Sequence, residues 1–573
     1  MFNVVLVSFA LPIINAVAAY NVELFHKGTK SGDLQWNVDY ETKTATFALN
    51  LSATFLTEHA FGLGISGDGS VYQADLLLVQ QFGQRVVVRD CWSNDQASLS
   101  CIEQQDYELL DTSVSTNHIT VRFQRLFSTC DSHDYQLDNG TTNVLTIFGL
   151  PKDKEGTAEK ITLENFEKDL YRVQILKTPF SYTKEKDSKW FEILTPNITI
   201  PKQGTTYWCS MHRLPDFDTR VHGIGYESFI LAESKGIVHH IEVFGCDIQD
   251  GEIPYFSGTC EEGKLNPQID RCSHVLAAWA FGMEAFFYPN EAGLTFYSAS
   301  KSRYVRLEMH YNNQAHLEGV VDRSGIRFHY TSRLREHEVG VVENGLIYTP
   351  NMVIPPGQST FAWSGYCPSK CTSLAFPKEG INIFGSVLHT HLAGRKARTY
   401  RIRENTVKEI SRDDHYSTWF EDMRHVNPPI KVLPGDVLVT SCEFSTEKRT
   451  NVTFGGLGIR EEMCITYLHY YPATKLEVCK SSASEISLME FFFFLKSIRG
   501  TCMSRKHESI KKEYENVSWN HGSVALLNSL YGKSSIDVHC MKPNREQWPG
   551  KWRNVEQPVT PVEKIQPTNN CIH

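Results

Sequence analysis

Beyond its first residues the chain has no apolar run long enough to cross a bilayer, which takes about 18 such residues. The nearest stretch, Met489–Leu495 (MEFFFFL), is far shorter and is expected to be the buried face of a helix near Leu488–Ile498. There is no basic stripe either: 57 Lys and Arg against 66 Asp and Glu lie scattered along 573 residues, with a formal charge of -9. Nothing there would track a phosphate backbone, so nucleic acid is excluded as a partner. None of the 15 cysteines falls in a C-x-x-C knuckle, which argues against zinc and for disulfides made in an oxidising compartment. Repeats of solenoid type are missing. The opening run, MFNVVLVSFALPIINAVAA, lacks a preceding Lys or Arg but ends in the small residues Ala16, Ala18 and Ala19. It reads as a signal peptide over residues 1–19, cleaved or retained as an anchor.

Five N-x-S/T sequons, at Asn50, Asn139, Asn197, Asn451 and Asn516, agree with passage through the secretory pathway, to a vesicle lumen or the exterior. The length calls for roughly three or four domains. Short β-like runs such as Thr44–Leu51, Arg85–Arg89 and His118–Phe123, broken by Gly, Asp, Asn and Ser turns, predict a β-sandwich over residues 20–150. A charged stretch, 151–195, reads as a linker. Two further β-rich blocks, 196–353 and 354–525, are divided at Pro355-Pro356-Gly357, and 526–573 is a polar tail. The expected fold is therefore all-β.

Chemistry gathers in the later blocks. In SVLHTHLAGR (Ser386–Arg395), His389 and His391 lie two apart on a predicted strand, so both imidazoles emerge on one face. Further on, Met463, Ile465, Tyr467 and His469 share a face if that run is a strand, and a thioether is a soft ligand that favours copper, Cu(I) above all. In the earlier block His239 and His240 are adjacent, with His310 distant. Adjacent strand residues point to opposite faces, so this pair can share an ion only across a bulge. Strand histidines and methionines are also ordinary surface and core residues, and spacing alone does not decide.

The motifs decide it. VHHIEVFGC (Val238–Cys246), RLEMHYNN (Arg306–Asn313), LHTHLAGR (Leu388–Arg395) and GIREEMCITYLHYYP (Gly458–Pro472), in that order, resemble the copper type II, ascorbate-dependent monooxygenases, in particular those that hydroxylate phenethylamines. FQRLFSTCDSHDY (Phe123–Tyr135) resembles the DOMON domain preceding the catalytic core in that family. TTYWC (Thr205–Cys209) and RCSHVLAAWAFG (Arg271–Gly282) resemble parts of the core itself. The resemblance implies a DOMON β-sandwich followed by two jelly-roll-like copper-binding sandwiches.

It also implies two coppers per chain, ascorbate as electron donor and O2 as co-substrate. His239, His240 and His310 would hold an electron-transfer copper, and His389, His391 and Met463 the copper that meets O2. Tyr467 stands at a family active-site tyrosine, and Glu242 is a candidate partner for a substrate ammonium. The reaction would be β-hydroxylation, of the kind dopamine to noradrenaline or tyramine to octopamine. Peptidylglycine-type hydroxylation is the rival within the family. It is disfavoured by Val387 and Ile465, which stand where those enzymes hold the substrate carboxylate with polar side chains. A secreted binding protein with structural metal sites is the rival outside it. Val221, Gly225 and Gln314 depart from the usual pattern without touching a proposed ligand.

The implied disulfides are Cys130–Cys571, Cys209–Cys260, Cys246–Cys272, Cys367–Cys479, Cys371–Cys540 and Cys442–Cys464. Cys91 and Cys101 are close enough in sequence to suggest an extra pair. That leaves Cys502 for an interchain bridge, hence a disulfide-linked homodimer.

Overall fold

The computed structural model describes residues 20–560 apart from 28, 102–104, 153–160, 181, 183–184, 247–254, 265, 281–282, 297–302 and 499–508. The expected signal peptide, Cys502 and Cys571 lie outside the described residues. The chain divides into two compact units, whose described residues come from 20–138 with 142–176, and from 139–141 with 177–560.

The first unit is a two-sheet sandwich. One sheet runs Tyr20–His26, Thr29–Asp39, Thr44–Ser52, His118–Leu126, Glu108–Val114; the other runs Glu167–Val173, Thr142–Leu150, Ala60–Ser66, Asp75–Phe82, Arg85–Ser93, Leu99–Cys101. Alternation explains the first sheet: in Thr44–Ser52 every second residue, Ala45, Phe47, Leu49 and Leu51, is buried against the opposing sheet. The strand Ala60–Ser66 (AFGLGIS) is buried along its whole length, because a second apolar cluster around Leu76, Leu78 and Leu163 covers its other face. Between the sheets the Arg125 guanidinium pairs with the Asp75 carboxylate, which also accepts a 2.7 Å hydrogen bond from Tyr107.

The second unit holds two more sandwiches. In the first, the five-stranded sheet Ser257–Thr259, Thr205–Arg213, Tyr304–Asn312, Val238–Cys246, Cys272–Ala280 shares a core with a six-stranded sheet centred on His222–Phe229 and Gly325–Thr331. In the second, the six-stranded sheet runs Arg424–Val432, Ile381–Thr390, Cys464–Tyr471, Gly340–Leu346, Val478–Ala483, Ile536–Met541. A four-stranded sheet made from Phe361–Cys367, Val437–Phe444, Gly394–Arg403 and Thr406–Asp413 completes it. One glycine seats the two sandwiches on each other. Gly385 pairs with both His425 and His469 in the ladder, and a Cβ there would meet the Phe286 ring of the first sandwich at 2.8 Å. The ring instead stacks on His425 with centroids 4.4 Å apart. Phe384, Val387, Met423 and Tyr471 of the second sandwich thereby join the core of the first.

Disulfides join Cys91 to Cys101, Cys209 to Cys260, Cys246 to Cys272, Cys367 to Cys479, Cys371 to Cys540 and Cys442 to Cys464. Cys130 is disulfide-bonded as well. Of the sequons, Asn139, Asn197, Asn451 and Asn516 are exposed, whereas Asn50 is half-buried in mid-strand. The Asn50 amide donates to Asp33 at 2.8 Å and accepts from Thr120 at 2.8 Å.

Two expectations need correction. The chain is mostly strand, but the described residues include seven α-helices, so it is not strictly all-β. The longest, Glu485–Ile498 and His521–Lys533, pack Leu488, Phe491, Phe492 and Leu527 against the second sandwich, because apolar residues three and four apart give a helix one buried stripe. The Met489–Leu495 run is also not simply a buried face. A helix turns 100° per residue, so four consecutive phenylalanines cannot share one side; Phe493 and Phe494 are exposed together with Ile486, Met489 and Ile498.

Candidate metal centres

His239 and His240 lie near the start of the strand Val238–Cys246, where regular pleating would send them to opposite faces. The ladder with Tyr304–Asn312 shifts register between Val238 and His240, and beyond this irregularity His240 stands opposite His310. The shift brings all three imidazoles together, each offering a ring nitrogen within 4.8 Å of the others. The Nδ1 atoms converge: His239 to His240 is 3.4 Å and His240 to His310 is 3.2 Å. Tyr207 backs the cluster, its ring stacked on His310 at 4.4 Å. Burial first, and neighbouring histidines second, hold His240 far below the ordinary imidazole range and bring His310 down to about 3. The rings are therefore neutral at physiological pH, each with a lone pair to offer, and the buried His310 Nε2 has no partner. Three neutral imidazoles whose ring nitrogens converge present lone pairs that a cation among them would accept. The donor set fits a transition metal that accepts nitrogen, copper included.

The second group forms where Ile381–Thr390 runs antiparallel to Cys464–Tyr471. The register pairs Val387 with Tyr467, His389 with Ile465 and Thr390 with Cys464. The ladder ends at that last pair, and the next residues of the two segments, His391 and Met463, are both buried. The His389 and His391 rings stand perpendicular, with centroids 5.2 Å apart. Here the Nδ1 atoms are engaged: His389 Nδ1 lies 2.9 Å from the Glu421 carboxylate and His391 Nδ1 lies 3.0 Å from the Glu461 carbonyl oxygen. With Nδ1–H donating, the Nε2 atom carries the lone pair of both rings. Burial alone would lower the His389 imidazolium, but the Glu421 charge and hydrogen bond outweigh it and hold it above its ordinary value. The turn behind the pair is clamped by Glu462, fully buried, whose carboxylate accepts the His391 N–H at 2.9 Å and the Ala393 N–H at 2.5 Å. Joined by the buried Met463 thioether, the two imidazoles would make a softer three-donor set than three imidazoles, one that fits copper able to change oxidation state.

Tyr467 packs against the core of the first sandwich, and Val387 and Ile465 are buried beside it. Glu242 pairs with Glu308 in the ladder; burial, then the Glu308 charge, raises its carboxyl to about 8. Sequence reasoning missed Glu308, Glu421 and Tyr207. Glu308 was detectable in principle, two residues before His310 in the RLEMHYNN motif; Glu421, some thirty residues from the H-T-H run, carried no spacing signal.

A sandwich followed by two more, with one imidazole cluster in each of the last two, defines a metal-dependent oxidoreductase of the copper type II ascorbate-dependent monooxygenase family, and the chain belongs to it. The family's N-terminal domain matches residues 191–318, its C-terminal domain 337–492, and a DOMON domain 30–149. The chain is 39% identical over 561 residues to dopamine beta-hydroxylase of Homo sapiens, covering 96% of this chain and 89% of that protein. It is 38% identical to the Equus caballus enzyme of the same name, covering 96% and 90%. Its identity to tyramine beta-hydroxylase of Caenorhabditis briggsae is 34% over 555 residues, covering 94% and 91%.

Proposed function

We propose that the chain hydroxylates the benzylic carbon of a phenethylamine, consuming O2 and taking electrons from ascorbate, with one copper at each histidine cluster. The observation that carries this reading is that the histidine clusters differ in their surroundings: three ring nitrogens converge in one, while in the other the two Nδ1 atoms are engaged by the Glu421 carboxylate and the Glu461 carbonyl, which leaves Nε2. His239, His240 and His310 would hold the copper that stores and passes an electron; His389, His391 and Met463 would hold the copper that meets O2. Bound copper supplies the redox chemistry that activates O2 for removal of the benzylic hydrogen. The protein's part is positioning. Val387 and Ile465 present an apolar wall to an aromatic ring, and burying a peptide carboxylate unpaired against them would be costly. Glu242, once ionised beside a bound ammonium, would supply the counter-charge, and Tyr467 borders the same face. Residues 20–150, 196–353 and 354–525 would be the DOMON and two jelly-roll-like copper domains. Ascorbate-dependent oxygen uptake that rises on adding tyramine tests the reading; uptake indifferent to added amine would contradict it.

The same reading places the chain in the secretory pathway, in a vesicle lumen or secreted, in keeping with its disulfides. It also makes it a covalent homodimer through Cys502, the odd cysteine among 15. Support comes from the helix Glu485–Ile498, which ends four residues before Cys502 and leaves Phe493, Phe494 and Ile498 59%, 50% and 67% exposed, an apolar surface suited to a second copy of itself. Cys502→Ser is expected to run as monomer on non-reducing electrophoresis. A covalent dimer persisting in that variant would refute this use of the residue.

A further inference from the structure

One short segment, Tyr416–Glu421, reaches both histidine clusters. It lies between the strands Thr406–Asp413 and Arg424–Val432, and Tyr416 and Glu421 are almost completely buried. The Glu421 carboxylate accepts from His389 Nδ1 at 2.9 Å and from the Tyr416 hydroxyl. That hydroxyl in turn accepts the N–H of Thr390, the residue between His389 and His391, at 2.9 Å. Thr418 Oγ1 donates to the His391 carbonyl oxygen at 2.8 Å. Toward the other cluster, the Trp419 ring meets His239 edge-on at 5.5 Å.

Among these contacts Glu421 is the one that carries charge. A neutral acceptor would fix the His389 tautomer equally well, as the Glu461 carbonyl does for His391. A buried carboxylate does more: it pulls the Nδ1 proton toward itself and pushes electron density to Nε2, making the ring a stronger donor. An anion close to a metal also favours the higher charge on that metal, and the effect grows where water is excluded.

We propose that Glu421 is the positioning residue of the His389–His391–Met463 site, aiming His389 Nε2 at the metal and, through its charge, setting how tightly that site holds Cu(II) relative to Cu(I). The inference rests on the reading of these three residues as a copper site. His391, with only a carbonyl behind it, is the weaker nitrogen donor of the two. The segment also touches His239 through Trp419, so a change at Glu421 is felt first at His389, which it bonds, and more weakly at His239, which its charge reaches.

The test is copper titration of metal-free full-length protein against a competing chelator, for Cu(II) and Cu(I) separately, with the electron paramagnetic resonance spectrum of the Cu(II) form recorded at each equivalent. Wild type is expected to bind about two coppers, and a single equivalent would overturn the underlying site assignment rather than the role of Glu421. Glu421→Gln keeps the shape and an acceptor but removes the charge. It is expected to weaken Cu(II) at one of the two sites by about 10–100-fold, to weaken Cu(I) there by less, and to alter the spectrum of that site alone. Two coppers bound as in wild type, with an unchanged spectrum, would refute the proposal. So would equal losses of Cu(II) and Cu(I), which a purely structural role predicts. Glu421→Asp, which retains the charge but withdraws it by one methylene, covers the case in which Gln is not tolerated. A smaller loss of Cu(II) affinity confined to the same site is expected, and no loss would contradict the proposal.

Discussion

Met463→Ile is expected to fold and to bind one copper normally while losing turnover to below about 1% of wild type, more than ~2.7 kcal/mol of transition-state stabilisation. The side chain is nine-tenths buried, so an aliphatic residue of similar volume fills the space at small cost to the core, which in a well-packed site is usually below about 1.5 kcal/mol. What disappears is the sulfur. Nε2 of His389 and of His391 would then be the only protein donors at that position, and a two-imidazole set has lost the soft ligand that suits the reduced metal. Cu(I) affinity at the second cluster should fall with activity, whereas the Cys442–Cys464 disulfide, whose second cysteine follows Met463 directly, should remain formed. The check is thermal melting, copper content and turnover on one preparation. Wild-type turnover with full copper would remove Met463 from the site.

His310→Ala is expected to have as large an effect by a different route. It deletes the ring that Tyr207 stacks on and one of the three convergent Nδ1 atoms. Copper content should fall from about two to about one per chain, with the copper at His389 and His391 retained. Sustained turnover should fall by at least about 100-fold, because on the proposed reading each catalytic cycle takes two electrons and the copper that would store the second would be lost. Stability should fall modestly, because the ring is 3% exposed and its loss leaves a cavity against Tyr207. Full copper content with normal turnover would show that this cluster is structural packing.

The two variants bear on residues that the sequence exposed unequally. His389 and His391 were visible because a strand has a period of two, and an H-T-H run has one geometry. His239 and His240 were visible as residues but not as a site, since adjacency argues for opposite faces. The register shift that reunites them depends on pairing with Tyr304–Asn312, some seventy residues away, which no local rule contains. Glu421 was invisible for the same reason: its role exists only once Arg424–Val432 docks beside Ile381–Thr390 and brings the preceding segment over the histidines. The Phe491–Phe494 run misled in the other direction. Its hydrophobicity was plain, but an unbroken apolar run has no phase, and only the fold determines which rings face the core and which face outward.

The most direct measurement is product analysis of copper-loaded protein supplied with ascorbate and oxygen, with tyramine, dopamine and a glycine-extended peptide at equal concentration in parallel reactions. The apolar Val387 and Ile465 wall predicts that at least one amine is converted to its β-hydroxylated product, that conversion requires both copper and ascorbate, and that the peptide is left essentially untouched. Efficient hydroxylation of the peptide with neither amine converted would contradict the substrate class, while leaving both copper sites standing.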